Sequence, residues 1–283
     1  MAIKGVDISE HNGSVNFSTL KNNGVEFVII RLGYGSNYTN QDDKRFAENV
    51  KKAEAAGMPW GAYLYSYAKN TSMAKSEAEH ALRLLKGKTP LYGVWYDVED
   101  PQLSGVDVVA TSQTFCDAME NAGYYAGIYA SLSWLNGSLS SSKLDKYDKW
   151  VAQWNSSCTY KKAYGIWQYT EKLVIGGKNF DGNWAYKDYP SIIKAMNGEK
   201  EPEKEEDDLT KEEVKKIARQ EIVDYLKELG EKPASDGWGE EAVAWAKDHG
   251  VAAGDPNGNM RPRSLITREE SMKMIQNYHE HTR

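Results

Sequence analysis

The chain has 283 residues, 40% hydrophobic and 27% charged, a size that fits one large and one small folded unit. Its net charge of −6 is local: residues 199–231 hold 13 acids against 7 bases, so the remainder is balanced, which argues against nucleic acid as a partner. No apolar run reaches the roughly 18 residues of a membrane span, the start Met1-Ala-Ile-Lys-Gly-Val-Asp7 carries no signal-peptide pattern, and Cys116 and Cys158 make neither a disulfide framework nor a zinc site.

From the start to about Pro190, short apolar runs alternate with helical patterns, the signature of a parallel sheet wrapped by helices. The runs are Lys4–Ile8, Val25–Leu32, Pro59–Tyr65, Gly93–Val98, Tyr125–Ala130, Trp150–Gln153, Gly165–Tyr169 and Asn179–Asp181. Helical patterns occupy Asn16–Asn22, Asp42–Ala56, Ser72–Leu85, Val106–Asn121 and Leu132–Asn136, and Gly24, Gly57, Gly87 and Gly123 stand where helices stop. After Trp150 the gaps are too short for crossover helices. The expected fold is therefore an irregular β/α barrel, five β/α units followed by three further strands, spanning residues 1–195. Strand parity puts Gly93, Trp95, Asp97 and Glu99 on the lumen face, and Tyr92, Val94, Tyr96 and Val98 against the helices.

Residues 196–209 contain almost nothing that can be buried and read as a solvated acidic linker. A helical module is expected over 210–283. Thr210-Lys-Glu-Glu213 is a capping box for a helix to about Leu229, with Val214, Ile217, Ala218, Ile222, Tyr225, Leu226 and Leu229 as its apolar stripe. Such a stripe packs on its own module or forms a seam between chains. A second helix is expected at Glu240–His249, a turn-rich stretch at Gly250–Leu265, and a third helix after the capping box Thr267-Arg-Glu-Glu270. The Asp255-Pro-Asn-Gly-Asn259 loop lacks the glycine and distal glutamate of a calcium loop.

Asp97-Val-Glu99 places two carboxyls on one face of a strand end, and Asp7 and Asp181 close two other extended runs. Four acids at strand tips suggest one acidic pocket at the carboxyl end of the barrel. Paired carboxyls are the equipment of glycoside hydrolysis, in which one holds a proton for the leaving oxygen and another stays ionised beside the charge that grows on the sugar. Glu99, with the longer side chain, is the expected acid, and Asp97 the anionic partner. Alpha carbons two residues apart on a strand are about 6.5 Å apart, which leaves retention and inversion both open. Of 27 Trp and Tyr residues, 23 lie before Pro190, offering flat surfaces with polar tips of the kind that sugar rings require.

These pieces resemble glycoside hydrolase family 25, the muramidases of bacteriophage endolysins and bacterial wall-lytic enzymes. The resemblance is carried in order by Gly5-Val-Asp-Ile-Ser9, Arg31-Leu-Gly-Tyr34, Gly61-Ala-Tyr-Leu-Tyr65, Tyr96-Asp-Val-Glu99, Gly127-Ile-Tyr-Ala-Ser131, Trp167-Gln-Tyr169 and Asp181-Gly-Asn183. It implies hydrolysis of the β-1,4 bond between N-acetylmuramic acid and N-acetylglucosamine in peptidoglycan, with no cofactor and no metal. It further implies Glu99 as general acid/base, Asp97 as the group that orients the acetamide or stabilises charge, and Asp7 and Asp181 as further pocket acids. Tyr65, Tyr129, Gln168, Arg31 and Trp154 are the implied substrate contacts. The tail, from Trp238–Ala246 through Gly250-Val251 and Gly254-Asp255 to Ile266-Thr-Arg-Glu-Glu270, resembles a single S-layer-homology motif. That resemblance implies binding to a secondary cell-wall polymer and, since such motifs commonly occur in threes, self-association through residues 210–283.

Two other chemistries stay open at this stage: a metal phosphodiesterase, for which no phosphate-cradling loop is present, and a non-catalytic wall-binding barrel. Without a signal peptide, the expected route to the wall is holin-type release or lysis after synthesis in the bacterial cytoplasm, with a host autolysin as the alternative to a phage enzyme.

Overall fold

Lumen parity and helix stops together build a closed ring of eight strands. The computed structural model describes residues 2–198, 211–231, 236–251 and 268–281. The chain forms two compact units, Met1–Glu201 and Pro202–Arg283. In the first, β1 (Ile3–Ile8), α1 (Phe17–Asn22), β2 (Phe27–Tyr34), α2 (Phe46–Ala55), β3 (Trp60–Tyr65), α3 (Thr71–Leu85), β4 (Val94–Asp97), α4 (Val108–Asn121), β5 (Ala126–Ser131) and α5 (Leu132–Asn136) alternate. Then β6 (Asp148–Ala152), β7 (Ile166–Ile175) and β8 (Lys178–Ala185) follow with no α-helix between them, and α6 (Tyr189–Met196) ends the unit. The strands close in sequence order, with β1 to β7 parallel and β8 antiparallel to both β7 and β1. Five β/α units followed by three strands is the architecture expected from the sequence.

Local chemistry fixes the helix ends. Asn16, Asn70, Asp107 and Ser131 each accept a backbone N–H in the first turn of α1, α3, α4 and α5, replacing bonds that a helix start lacks. Gly24, Gly57, Gly87 and Gly123 have positive φ beyond the helix ends, where a side chain would be strained. The helix expected from Asp42 starts later, at Phe46, because Asp42 bridges to Gly33 and its carboxylate is held by His80 and Arg83.

Two apolar cores result. The outer one lies between strands and helices, with Val6, Val28, Ile30, Leu64, Val94, Tyr96 and Ile128 facing α1 to α4, and Tyr96 stacked on Phe115 of α4 at 4.2 Å. The inner one fills the lumen with Phe27, Ile29, Trp95, Tyr129, Trp150 and Ile166 over a floor of Tyr92 and Tyr189. Glycines on the lumen face make room for these rings: a Cβ on Gly127 would sit 2.3 Å from Trp95, and one on Gly5 2.2 Å from Phe27. Tyr92 corrects the parity expectation. It lies in the lumen core, stacked on Phe27 at 4.2 Å, because Gly93 turns the backbone to φ +74° just before β4 begins and resets the alternation.

The plug of large side chains leaves only the upper end of the barrel for chemistry. There the β7–β8 hairpin runs well past the expected strands, to Ile175 and Lys178, turning at Gly176 and Gly177, both with positive φ.

The second unit contains α7 (Lys211–Glu231), α8 (Asp236–Asp248) and α9 (Arg268–His281). Val251 is buried just after α8, and its carbonyl accepts from Asn277 of α9, while Trp245 of α8 lies against Tyr278 of α9. Ile222 and Tyr225 of the expected α7 stripe are exposed. The side chains of Val214, Ile217, Ala218 and Leu229, most of the acidic linker, the turn-rich stretch from residue 252 and both capping-box threonines lie outside the described residues. No helix among the described residues is long and apolar enough to cross a membrane.

Candidate active site

Asp7 near the end of β1, Asp97 at the end of β4, Glu99 two residues beyond it and Asp181 in β8 meet at one end of the lumen. Asp7 and Asp181 are paired across β1 and β8, and their carboxyl groups are in hydrogen-bond contact. All four acids expected from the sequence are thus brought together. Asp97 is 3% exposed, and its Oδ1 has no hydrogen-bond partner. Burial first, then the charges of Glu99 and Asp7, push its proton affinity well above that of an ordinary aspartate. Glu99 is shifted the same way by burial and by Asp181. Asp181 is pushed up to about 6, chiefly by burial. Burial thus works against the anionic form expected of Asp97, which is more deeply buried than Glu99, and Arg31 is the cation that opposes the shift.

The other expected residues take unequal places. Gln168, on the lumen face of β7, is 3% exposed and links two of them to the acids: its Oε1 accepts from the Tyr129 hydroxyl at 3.0 Å and the Trp154 indole at 3.1 Å, and its Nε2 donates to Asp7 Oδ2 at 3.0 Å. Tyr129 is buried, and its hydroxyl also reaches Glu99. That hydroxyl has one proton, so it serves Gln168 or an ionised Glu99, not both. Trp154 is 57% exposed, and its indole nitrogen is held by Gln168. Tyr65 donates to Asp100 Oδ2 at 3.2 Å and leans on Tyr67 at 5.2 Å between ring centres. Arg31 is held from behind by Asp43 at 2.9 Å and Glu10 at 3.1 Å. Arg31 is therefore fixed in place.

Several contributors went unassigned in the sequence reading. Asn183, fully buried, donates to Asp7 Oδ2 at 2.8 Å while its own Oδ1 accepts from the Trp150 indole at 2.8 Å. Its position two residues after Asp181 on a strand was the available signal. Asp100 adds a fifth acid and caps the turn that follows Glu99, accepting from Gln102 N at 2.8 Å. Glu77 of α3 is fully buried and accepts from Ser66 Oγ, the Tyr96 hydroxyl and Tyr67 N at 2.9, 2.6 and 2.8 Å, fixing the segment after β3 that carries Tyr67. Among the described residues, no three His, Cys, Asp or Glu side chains converge with metal-holding geometry.

An acid cluster of raised proton affinity at the mouth of a β/α barrel, rimmed by tyrosine and tryptophan, is the equipment of a glycoside hydrolase barrel. Comparison with known proteins agrees: residues 6–178 match the glycosyl hydrolases family 25, and residues 232–270 match the S-layer homology domain. The chain belongs to glycosyl hydrolase family 25. It is 29% identical over 177 residues to the autolytic lysozyme of Clostridium acetobutylicum, a match that covers 62% of this chain and 52% of that protein. Among solved structures it is similar to the modular autolysin LytC of Streptococcus pneumoniae, with 31% identity and a TM-score of 0.58 over 65% of this chain and 47% of that one. The catalytic domain of an endolysin from a bacteriophage of Listeria monocytogenes is similar at 29% identity and a TM-score of 0.58, over 69% of this chain and 98% of that one. The chain thus spans about half the length of the autolytic lysozyme and of the autolysin.

Proposed function

We propose that this protein is a peptidoglycan hydrolase of the lysozyme type, cleaving the β-1,4 bond on the reducing side of N-acetylmuramic acid. The convergence of Asp7, Asp97, Glu99 and Asp181 at the barrel mouth carries the reading, and the family and its lysozyme, autolysin and endolysin relatives support it.

In this mechanism Glu99 donates its proton to the glycosidic oxygen. Burial and the charge of Asp181 raise its proton affinity, which favours the protonated form that donation requires. As Glu99 ionises it draws in the Tyr129 hydroxyl, which stabilises the new charge at the expense of the contact to Gln168. Asp97 Oδ1 has no hydrogen-bond partner among the described residues, and the acetamide N–H of a bound sugar is a donor that would suit it. Accepting it draws Asp97 toward its ionised form and turns the acetamide oxygen toward the anomeric carbon, so that the sugar supplies its own nucleophile. Trp154 provides a stacking face for a neighbouring ring.

The S-layer homology segment supports a second contact with the wall, through a secondary wall polymer. Exposed Ile222 and Tyr225 on α7 support self-association through residues 210–283. Sedimentation of the full chain against a chain ended after Gly198 tests this, with a fall in oligomer mass expected and two monomers refuting it. The place of action under this reading is the bacterial wall, reached after holin-type release or lysis. Mass spectrometry of digested peptidoglycan tests the bond: new reducing muramic acid ends are expected, and new glucosamine ends or freed stem peptides overturn it.

A further inference from the structure

Glu99 stands beyond the paired part of its strand. β4 is in register with β3 and β5 as far as Asp97, and Val98 N ties the chain to β5 once more, donating to the Tyr129 carbonyl at 2.9 Å. On the other side of Glu99 the next fixed point is Asp100, 8% exposed. Its carbonyl accepts from Leu103 N at 2.9 Å and its Oδ1 from Gln102 N at 2.8 Å, closing a short 3-10 turn, Pro101–Leu103, that begins with proline and buries Leu103. Its second oxygen, Oδ2, accepts from the Tyr65 hydroxyl at 3.2 Å. Tyr65 ends β3 and pairs with Asp97, so this bond crosses the rim from β3 to the residue after Glu99.

We propose that Asp100 is a positioning residue for Glu99: one carboxyl oxygen holds the turn that follows the acid and the other holds Tyr65, so Glu99 is pinned between β5 and the β3 side of the mouth. This role rests on the hydrolase reading above, in which Glu99 gives its proton to the glycosidic oxygen. Both side-chain bonds run from a donor to a carboxyl oxygen, so a single carboxylate satisfies them together. Proton transfer depends steeply on placement, and a displacement of about 1 Å can cost about 100-fold in rate. A glutamate carried past the end of a strand is open to such displacement unless its backbone is held on both sides.

Asp100 also brings a charge, which adds to the raised proton affinity of Glu99 behind burial and Asp181. Position and charge separate by substitution. Asp100→Asn removes the charge but keeps an oxygen for Gln102 N, and its NH2 can donate to the Tyr65 oxygen. Asp100→Ala removes the charge and both side-chain bonds. Tyr65→Phe removes only the hydroxyl bond and leaves the turn and the charge in place.

The test is kcat and KM on soluble peptidoglycan fragments, alongside the carboxyl 13C titration of Glu99 in the full chain without substrate. Asp100→Ala should lower kcat about 10- to 100-fold with KM changed less than about two-fold, and Asp100→Asn should bring kcat back to within about three-fold of the parent. The Glu99 titration should move toward that of an ordinary glutamate in both variants, and further in Asp100→Ala, where the side chain also leaves its buried place beside Asp181 and Tyr129. Tyr65→Phe should show a smaller movement in the same direction and keeps the test open if Asp100→Ala fails to fold. Glu99 titrations that coincide in Asp100→Ala and Asp100→Asn overturn the proposal, as does, where the alanine variant does not fold, a Tyr65→Phe titration that superimposes on the parent's. The carboxyl titration needs no turnover, so it separates failure of the positioning role from failure of the hydrolase reading.

Discussion

Asp181→Asn should make the barrel more stable at neutral pH while impairing its activity. Asp181 is pushed up to about 6 in the folded chain from 3.8. Because the folded value lies above the unfolded one, the folded chain holds more protons between about pH 4 and pH 6, and stability falls as the pH rises through that window. Two pH units correspond to about 3 kcal/mol, and screening at this partly exposed carboxyl leaves about 1–2 kcal/mol. Asparagine has no charge to lose and keeps the shape, and its NH2 can donate to Asp7, so the penalty disappears in the variant. Thermal unfolding of parent and variant at pH 3.5 and pH 7.5, followed by tryptophan fluorescence, measures the difference. Seven of the nine tryptophans precede Pro202, so the signal reports mainly the barrel. A gain of about 2–4 °C per kcal/mol is expected at pH 7.5 and none at pH 3.5. A variant that melts at or below the parent at pH 7.5, or gains equally at both, refutes the electrostatic argument.

Glu99→Gln should lower wall lysis by about 100-fold or more while melting no lower than the parent at pH 7.5, since burial raises the proton affinity of Glu99 as it does that of Asp181, and parental lysis by this variant would support the non-catalytic barrel instead. Glu77→Leu leaves the Tyr96 hydroxyl and Tyr67 N without their buried acceptor, while Ser66 Oγ can still donate to the Tyr96 hydroxyl, so a cost of about 2–4 kcal/mol is expected in urea unfolding, and Glu77→Gln should cost less and show mainly as a raised KM through the segment after β3 that carries Tyr67. Gly5→Ala drives a methyl into Phe27, which is stacked on Tyr92 and has nowhere to move, so a loss of about 1–3 kcal/mol is expected, and a neutral result in the same assay would deny that the lumen is tightly filled.

Much of the barrel was legible because apolar alternation and glycine stops recur on a regular period, and the three helix-free strands at the end were legible from gap length alone. Asp7, Asp97, Glu99 and Asp181 were legible as strand-end acids. The β7–β8 extension was not, since Thr170-Glu-Lys172 interrupts any alternation where the hairpin leaves the ring, although Gly176-Gly177 marked its turn. Tyr92 was misplaced because parity counting cannot see a backbone reversal at Gly93. The roles of Asn183, Trp150 and Glu77 depend on which donor meets which acceptor across distant segments, information that exists only once the chain has closed.

The reversed last strand gives that closure a further meaning. Asp7 receives its two amide donors from residues 161 and 176 positions away, and its carboxyl neighbour also arrives on β8. Contacts of such long range form late in folding. β8 closes the ring between the first and seventh strands and brings Asp181, whose charge adds to the raised proton affinity of Glu99. On the function proposed above, a chain that ends before β8 lacks Asp181 and Asn183 and should not lyse walls.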